Sequence, residues 1–102
     1  MTKAVIDDSD GVYRIMLSGH ALGNQDVCAA ISCLACTMAG YLDQHEDERD
    51  FVDLQEGRAE FVFRDKGLFE VISTGLLMLE EYYPAQIFVQ KGADEDIAFR
   101  GI

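Results

Sequence analysis

The sequence predicts an α+β domain: a two-layer ββαββαβ arrangement with two helices packed on a mainly antiparallel five-stranded sheet. Three observations lead there. Two pairs of short alternating segments are each closed by a turn signal that ends in glycine. Each pair is followed by a long run with helical apolar spacing. One short apolar segment then follows the chain's single proline, Pro84. A length of 102 residues suits one domain spanning 1–102.

The elements follow in order. KAVIDD (3–8) and GVYRIMLS (11–18) flank the turn signal Ser-Asp-Gly and read as a hairpin. In the second strand Tyr13, Ile15 and Leu17 face one way, and Val12, Arg14 and Met16 the other. VCAAISCLACTMAGYL (27–42) has no polar stripe, which predicts a central helix buried on most sides. Asp26 is its natural N-cap, with Asn24 a second candidate. QHEDERD (44–50) reads as a charged, solvated connection, with His45 at the surface. A second hairpin follows, 51–55 and 58–64, turning at Glu56-Gly57, with Ala59, Phe61 and Phe63 on its apolar side. Residues 66–83 carry apolar side chains at 68, 69, 72, 76, 79 and 83, a helical spacing that Pro84 terminates. IFVQK (87–91) is the last strand, and residues 93–102 are expected to form a loose tail. Met16, Met38 and Met78 are expected in the core.

Eight Lys and Arg stand against nineteen Asp and Glu, a net charge of −11. Such a chain is poorly suited to neutralise phosphates, which argues against nucleic acid and against an anionic membrane surface. It favours a basic protein partner, or simply solubility. Three cysteines, all between 28 and 36, do not make a secreted disulfide framework. The N-terminal MTKAVIDDSDG has no apolar run of signal-peptide type, and no stretch reaches the ~18 apolar residues of a membrane span. A cytoplasmic, reduced chain is expected.

The stretch SGHALGNQDVCAAIS (18–32) carries the candidate chemistry. With Asp26 as cap, Cys28 is the second helical residue, where unsatisfied amides and the positive dipole end stabilise a thiolate. His20 leaves the end of the second strand at the same sheet edge. A base within hydrogen-bond reach of an activated thiol makes a nucleophilic pair. The plainer reading is a strand-turn-helix with a buried thiol. Cys33 and Cys36 read as inert core thiols, because CLAC lies inside an apolar run rather than at a helix start. A zinc site from His20, Cys28, Cys33 and Cys36 converges poorly, since the ~100° turn per residue points Cys33 away from Cys28. A phosphate-binding turn at GHALGN lacks the P-loop lysine.

The strand ending SGHA, followed by VCAAIS at a helix start, resembles the Prp family of bacterial ribosomal-processing cysteine proteases, the YsxB-like proteins. The element order, the length and the acidic balance look like that family over nearly the whole chain. The resemblance implies Cys28 as nucleophile and His20 as general base, with no metal and no cofactor. It implies a substrate that is the N-terminal extension of a basic ribosomal large-subunit protein precursor, or a phage capsid or scaffold protein of similar sequence. It also implies a homodimer. Two features depart from the family pattern. The loop between histidine and cysteine, ALGNQDV (21–27), is shorter than usual. The family's acid three residues before the cysteine is replaced by Gln25, with Asp26 one step nearer. Asp26 is therefore a candidate orienting residue or only a helix cap, and Gln25 or Asn24 could orient the imidazole as a neutral amide. A carboxylate so near Cys28 opposes thiolate formation. Two functions follow: a cysteine endopeptidase, or a catalytically weak Prp-like dimeric domain that binds a basic protein partner.

Overall fold

Asp10 and Gly11 both have positive φ, 52° and 78°, the conformation of a two-residue hairpin turn whose twist matches its strands. This turn joins β1 (Thr2–Ser9) to β2 (Val12–Ser18). The computed structural model describes residues 1–20 and 24–92. Then come α1 (Gln25–Gln44), a single 3-10 turn (Glu46–Glu48), β3 (Arg49–Gln55), β4 (Arg58–Phe63), α2 (Lys66–Tyr82) and β5 (Ile87–Lys91). The expected tail 93–102 lies outside the described residues.

The ββαββαβ order is as expected. The five strands are arranged β3-β4-β2-β1-β5, and every neighbouring pair is antiparallel except β1 with β5, which is parallel. The sheet is thus mixed. Composing the pairings makes β2 parallel to β3 and β4 parallel to β5. Each helix is therefore a crossover between parallel strands, which a hairpin cannot connect.

One face of the sheet is apolar and carries both helices. Ile15, Leu17, Phe61 and Phe63 of the inner strands are all under 5% exposed, as their alternation predicts. Val27, Ile31, Ala35, Met38 and Leu42 of α1 and Ile72 and Leu76 of α2 close the core over them.

The expectation that α1 is buried on most sides is wrong. Its buried residues form a single stripe at spacings of three and four. Cys33 and Cys36 are exposed. Two layers cover only one side of a helix. The apolar character of the remaining surface comes from small residues, Ala, Cys and Gly, whose exposure costs little. At twenty residues α1 is also long and apolar enough, by length and composition, to cross a bilayer, contrary to the expectation that no stretch reaches that measure. Its stripe is nevertheless part of the sheet's core. Met78, expected in the core, is 50% exposed on the outer side of α2. The charged connection is shorter than expected, because Arg49 and Asp50 already belong to β3.

The far ends of the helices are clasped by polar groups. Asp65 caps α2, accepting from Leu68 N–H at 3.0 Å. Its carboxylate also accepts from the Tyr41 hydroxyl near the end of α1. The Tyr41 bond, then the Leu68 amide, hold the Asp65 carboxyl below the usual carboxylate range. The same bond raises the Tyr41 phenol above its ordinary value. The surface ring of His45 stacks on Tyr41 at 3.9 Å between centroids, and its Nδ1 lies 2.8 Å from Tyr41 O.

Candidate active site

Gly19 ends β2 with φ +84°, a conformation open to glycine and strained for other residues. A β-carbon there would also lie 2.6 Å from Met1 O. Its N–H donates to Gly57 O at 2.9 Å, which ties the end of β2 to the β3–β4 turn. These two constraints aim the next residue, His20, over that turn. Its Nε2 lies 2.9 Å from where a β-carbon on Gly57 would be.

Cys28 reaches the same place from the helix. The cap of α1 is Asn24, not Asp26: Asn24 has extended φ and ψ, and its Oδ1 accepts from Val27 N–H at 3.1 Å. The helix starts at Gln25, so Cys28 is its fourth residue rather than its second. Its own N–H donates to Asn24 O at 3.3 Å. In the first turn only the amides of Gln25 and Asp26 then lack a partner within the helix. Cys28 is half-buried and packs against the core. Asp26 is exposed in the first turn.

His20 and Cys28 line one open cavity of about 190 Å³. Leu17, Ile31, Ala35 and Ala59 supply its apolar wall, and Leu54, Gln55 and Arg58 of the second hairpin complete its rim. The sequence paired His20 with Cys28 but missed Gly57 and the hairpin rim, which lie some thirty residues along the chain. The Glu-Gly turn signal marks the bend without saying what packs on it.

Cys36 lines the cavity too, two turns further along α1. Eight residues rise ~12 Å in a helix, and five rise ~7.5 Å. Both exceed the ~7 Å Cα separation a disulfide tolerates, so neither Cys36 nor Cys33 can bridge to Cys28 within this helix. Residues 21–23 of the shortened loop lie outside the described residues.

Of the charged side chains of the second hairpin, Arg58 lines the cavity, and acidic residues dominate the stretch that leads to it. Residues 46–58 hold six carboxylates and two arginines, a net charge of −4. Arg58 contacts Asp53 and Glu60 at 3.4 and 3.3 Å, and Arg49 contacts Glu46 at 3.3 Å.

No protein-family model and no curated protein sequence matches the chain. Solved structures do. The chain is similar to the essential ribosomal processing protease Prp from S. aureus in complex with a covalently linked product peptide, with TM-score 0.77 and 19% identity over 89% of this chain and 99% of that one. It is similar to the same protease with a substrate peptide, with TM-score 0.74 and 17% identity over 89% and 99%. SMU.848 from Streptococcus mutans is a further likeness, with TM-score 0.74 and 24% identity over 90% and 97%. Across about nine-tenths of its length, the chain has the fold of the ribosomal processing protease Prp.

Proposed function

We propose that the chain is a cysteine endopeptidase with a Cys28–His20 dyad. The observation that carries this is the shared cavity: His20 from the end of β2 and Cys28 from the first turn of α1 line one open cleft. The likeness to a protease caught with its product and substrate peptides supports it.

His20 takes the proton from Cys28 Sγ, and the thiolate attacks the carbonyl carbon of a peptide bond. The carbonyl oxygen becomes an oxyanion, for which the Gln25 and Asp26 amides are the donors at hand. The tetrahedral species collapses to a thioester. The leaving amine departs with the proton that His20 held. Water, deprotonated by His20, then attacks the thioester, and the acid product leaves with Cys28 restored.

The proposed substrate is a ribosomal large-subunit protein precursor bearing an N-terminal extension, or a phage or mobile-element protein with a similar sequence. Basic proteins of this kind suit the net charge of −11. A cytoplasmic homodimer without metal or cofactor belongs to the same reading.

The alternative is a catalytically weak domain that binds a basic partner. It is favoured by the engaged amide of Cys28 and by the exposed Asp26 carboxylate two residues before the thiol. One assay separates the two. The purified chain and its Cys28→Ala variant are each mixed with the host's extended precursor, and intact masses are read. A shortened product only with Cys28 present is the expected result. An intact precursor, with Cys28 labelling no faster than Cys33 and Cys36, sinks the protease.

A further inference from the structure

β3 is an edge strand: among the described residues it pairs with β4 alone. It is seven residues long and contains neither Lys nor Pro, and its one irregularity, a register shift between Arg49 and Phe51, lies at the end away from the turn, so the Val52–Gln55 stretch is a regular, open edge. Its turn end forms the rim of the cleft, where Leu54 and Gln55 line the cavity with Cys28 and His20.

The register says which backbone groups are open. Gln55 and Arg58 flank a two-residue turn and are therefore the closing hydrogen-bonded pair. Pairs alternate along the ladder, so Leu54 and Val52 direct their N–H and C=O away from β4. Asp53, between them, bonds inward. The side chains agree with a missing neighbour. Leu54 on the helix face is 49% exposed and Phe51 on the opposite face 47%. An added strand would cover both.

We infer that the substrate binds as an extended strand added to the outer edge of β3, pairing with the main chain of Val52 and Leu54. The inference rests on the protease reading above. It commits to one occupant, a basic peptide segment, because residues 46–58, the edge strand with the turns at its two ends, carry a net charge of −4. Main-chain pairing supplies affinity, and alternate side chains supply selection. One set points beside Leu54 toward the apolar wall of Leu17, Ile31 and Ala59. The other points to the opposite face, beside Asp53. The substrate class is thus a segment in which small or apolar residues alternate with basic ones.

The test uses the full-length Cys28→Ala chain, with amide hydrogen exchange read by NMR. Two probes are titrated: the N-terminal peptide of the host's large-subunit precursor, and an alternating Lys–Leu peptide. In parallel, the wild-type chain is assayed for cleavage of both. Strand addition should slow exchange at Val52 and Leu54 by about tenfold and leave Asp53 unchanged, since its amide is already paired. N-methylation of alternate peptide nitrogens should weaken binding by about fivefold, and methylation of the intervening ones should not. Cleavage with neither amide protected keeps the protease and overturns the strand addition. Protection without cleavage keeps the strand addition and overturns the protease. Neither protection nor cleavage overturns the strand addition as well.

Discussion

The imidazole of His20 rests on Gly57: a β-carbon at that glycine would lie 2.9 Å from Nε2. Contact with a ring edge is relieved by moving the ring, so Gly57→Ala should shift the imidazole away from its place. Gly11 provides a matched control. Its φ of +78° equals that of Gly57, +76°, within a few degrees, but nothing lies within 4 Å of its β-carbon. Both substitutions should cost about 1 kcal/mol of stability through backbone strain. Only Gly57→Ala should lower kcat/KM, by about tenfold to hundredfold. Thermal melts and peptide cleavage on the two variants check this; equal activities would show that the contact does not position His20.

Exposure of Cys33 and Cys36 changes how the proposed nucleophile, Cys28, must be tested. Both are accessible on α1 and will label on their own. In a Cys33→Ser, Cys36→Ser background, Cys28 should alkylate rapidly at neutral pH, and His20→Ala should slow it. Cleavage should disappear in Cys28→Ala and fall by about 10²–10⁴ in His20→Ala, the usual contribution of a general base. An unchanged alkylation rate in His20→Ala would dissolve the dyad.

Because Asn24 rather than Asp26 caps α1, the two residues separate stability from catalysis. Asn24→Ala should cost about 1 kcal/mol in chemical denaturation. Asp26→Ala removes only a favourable charge at the helix start and should cost about 0.3–1 kcal/mol. If Asp26 orients His20, its alanine variant should lose activity out of proportion to that small change. If activity rises instead, the carboxylate was opposing the thiolate.

The Tyr41–Asp65 clasp predicts a pH dependence. The folded Asp65 carboxyl titrates below its ordinary value of 3.8, chiefly through Tyr41. A depressed folded value means stability that is present above the unfolded pKa and lost as pH falls through the folded one. Tyr41→Phe should therefore destabilise the chain at neutral pH. The gap from the parent should close in acid, once the carboxyl is protonated in both states. Denaturant midpoints from pH 7 down to pH 2 measure it; a gap that is constant with pH would mean that the Tyr41 ring, and not its hydroxyl, matters.

By itself the sequence determined the element order, both hairpin turns and the strand boundaries to within two residues. Those features are local: a period of two or 3.6, a glycine that permits positive φ, a proline that ends a helix. β5 was placed at 87–91, where it stands, because its apolar run is bounded on both sides. The tertiary structure decided what locality cannot express. Apolar composition alone does not say how many neighbours a helix has, so α1 read as a central helix. In a two-layer fold only its Val27–Leu42 stripe meets the sheet. Choosing between Asn24 and Asp26 as cap depended on which backbone turned extended, a balance of similar local energies. The parallel placement of β5 beside β1, the Gly57 seat under His20 and the cleft rim at Leu54 all join segments tens of residues apart. Contacts at that range are set by packing one sheet face against two crossovers, and no local pattern in the chain records which turn lies under which side chain.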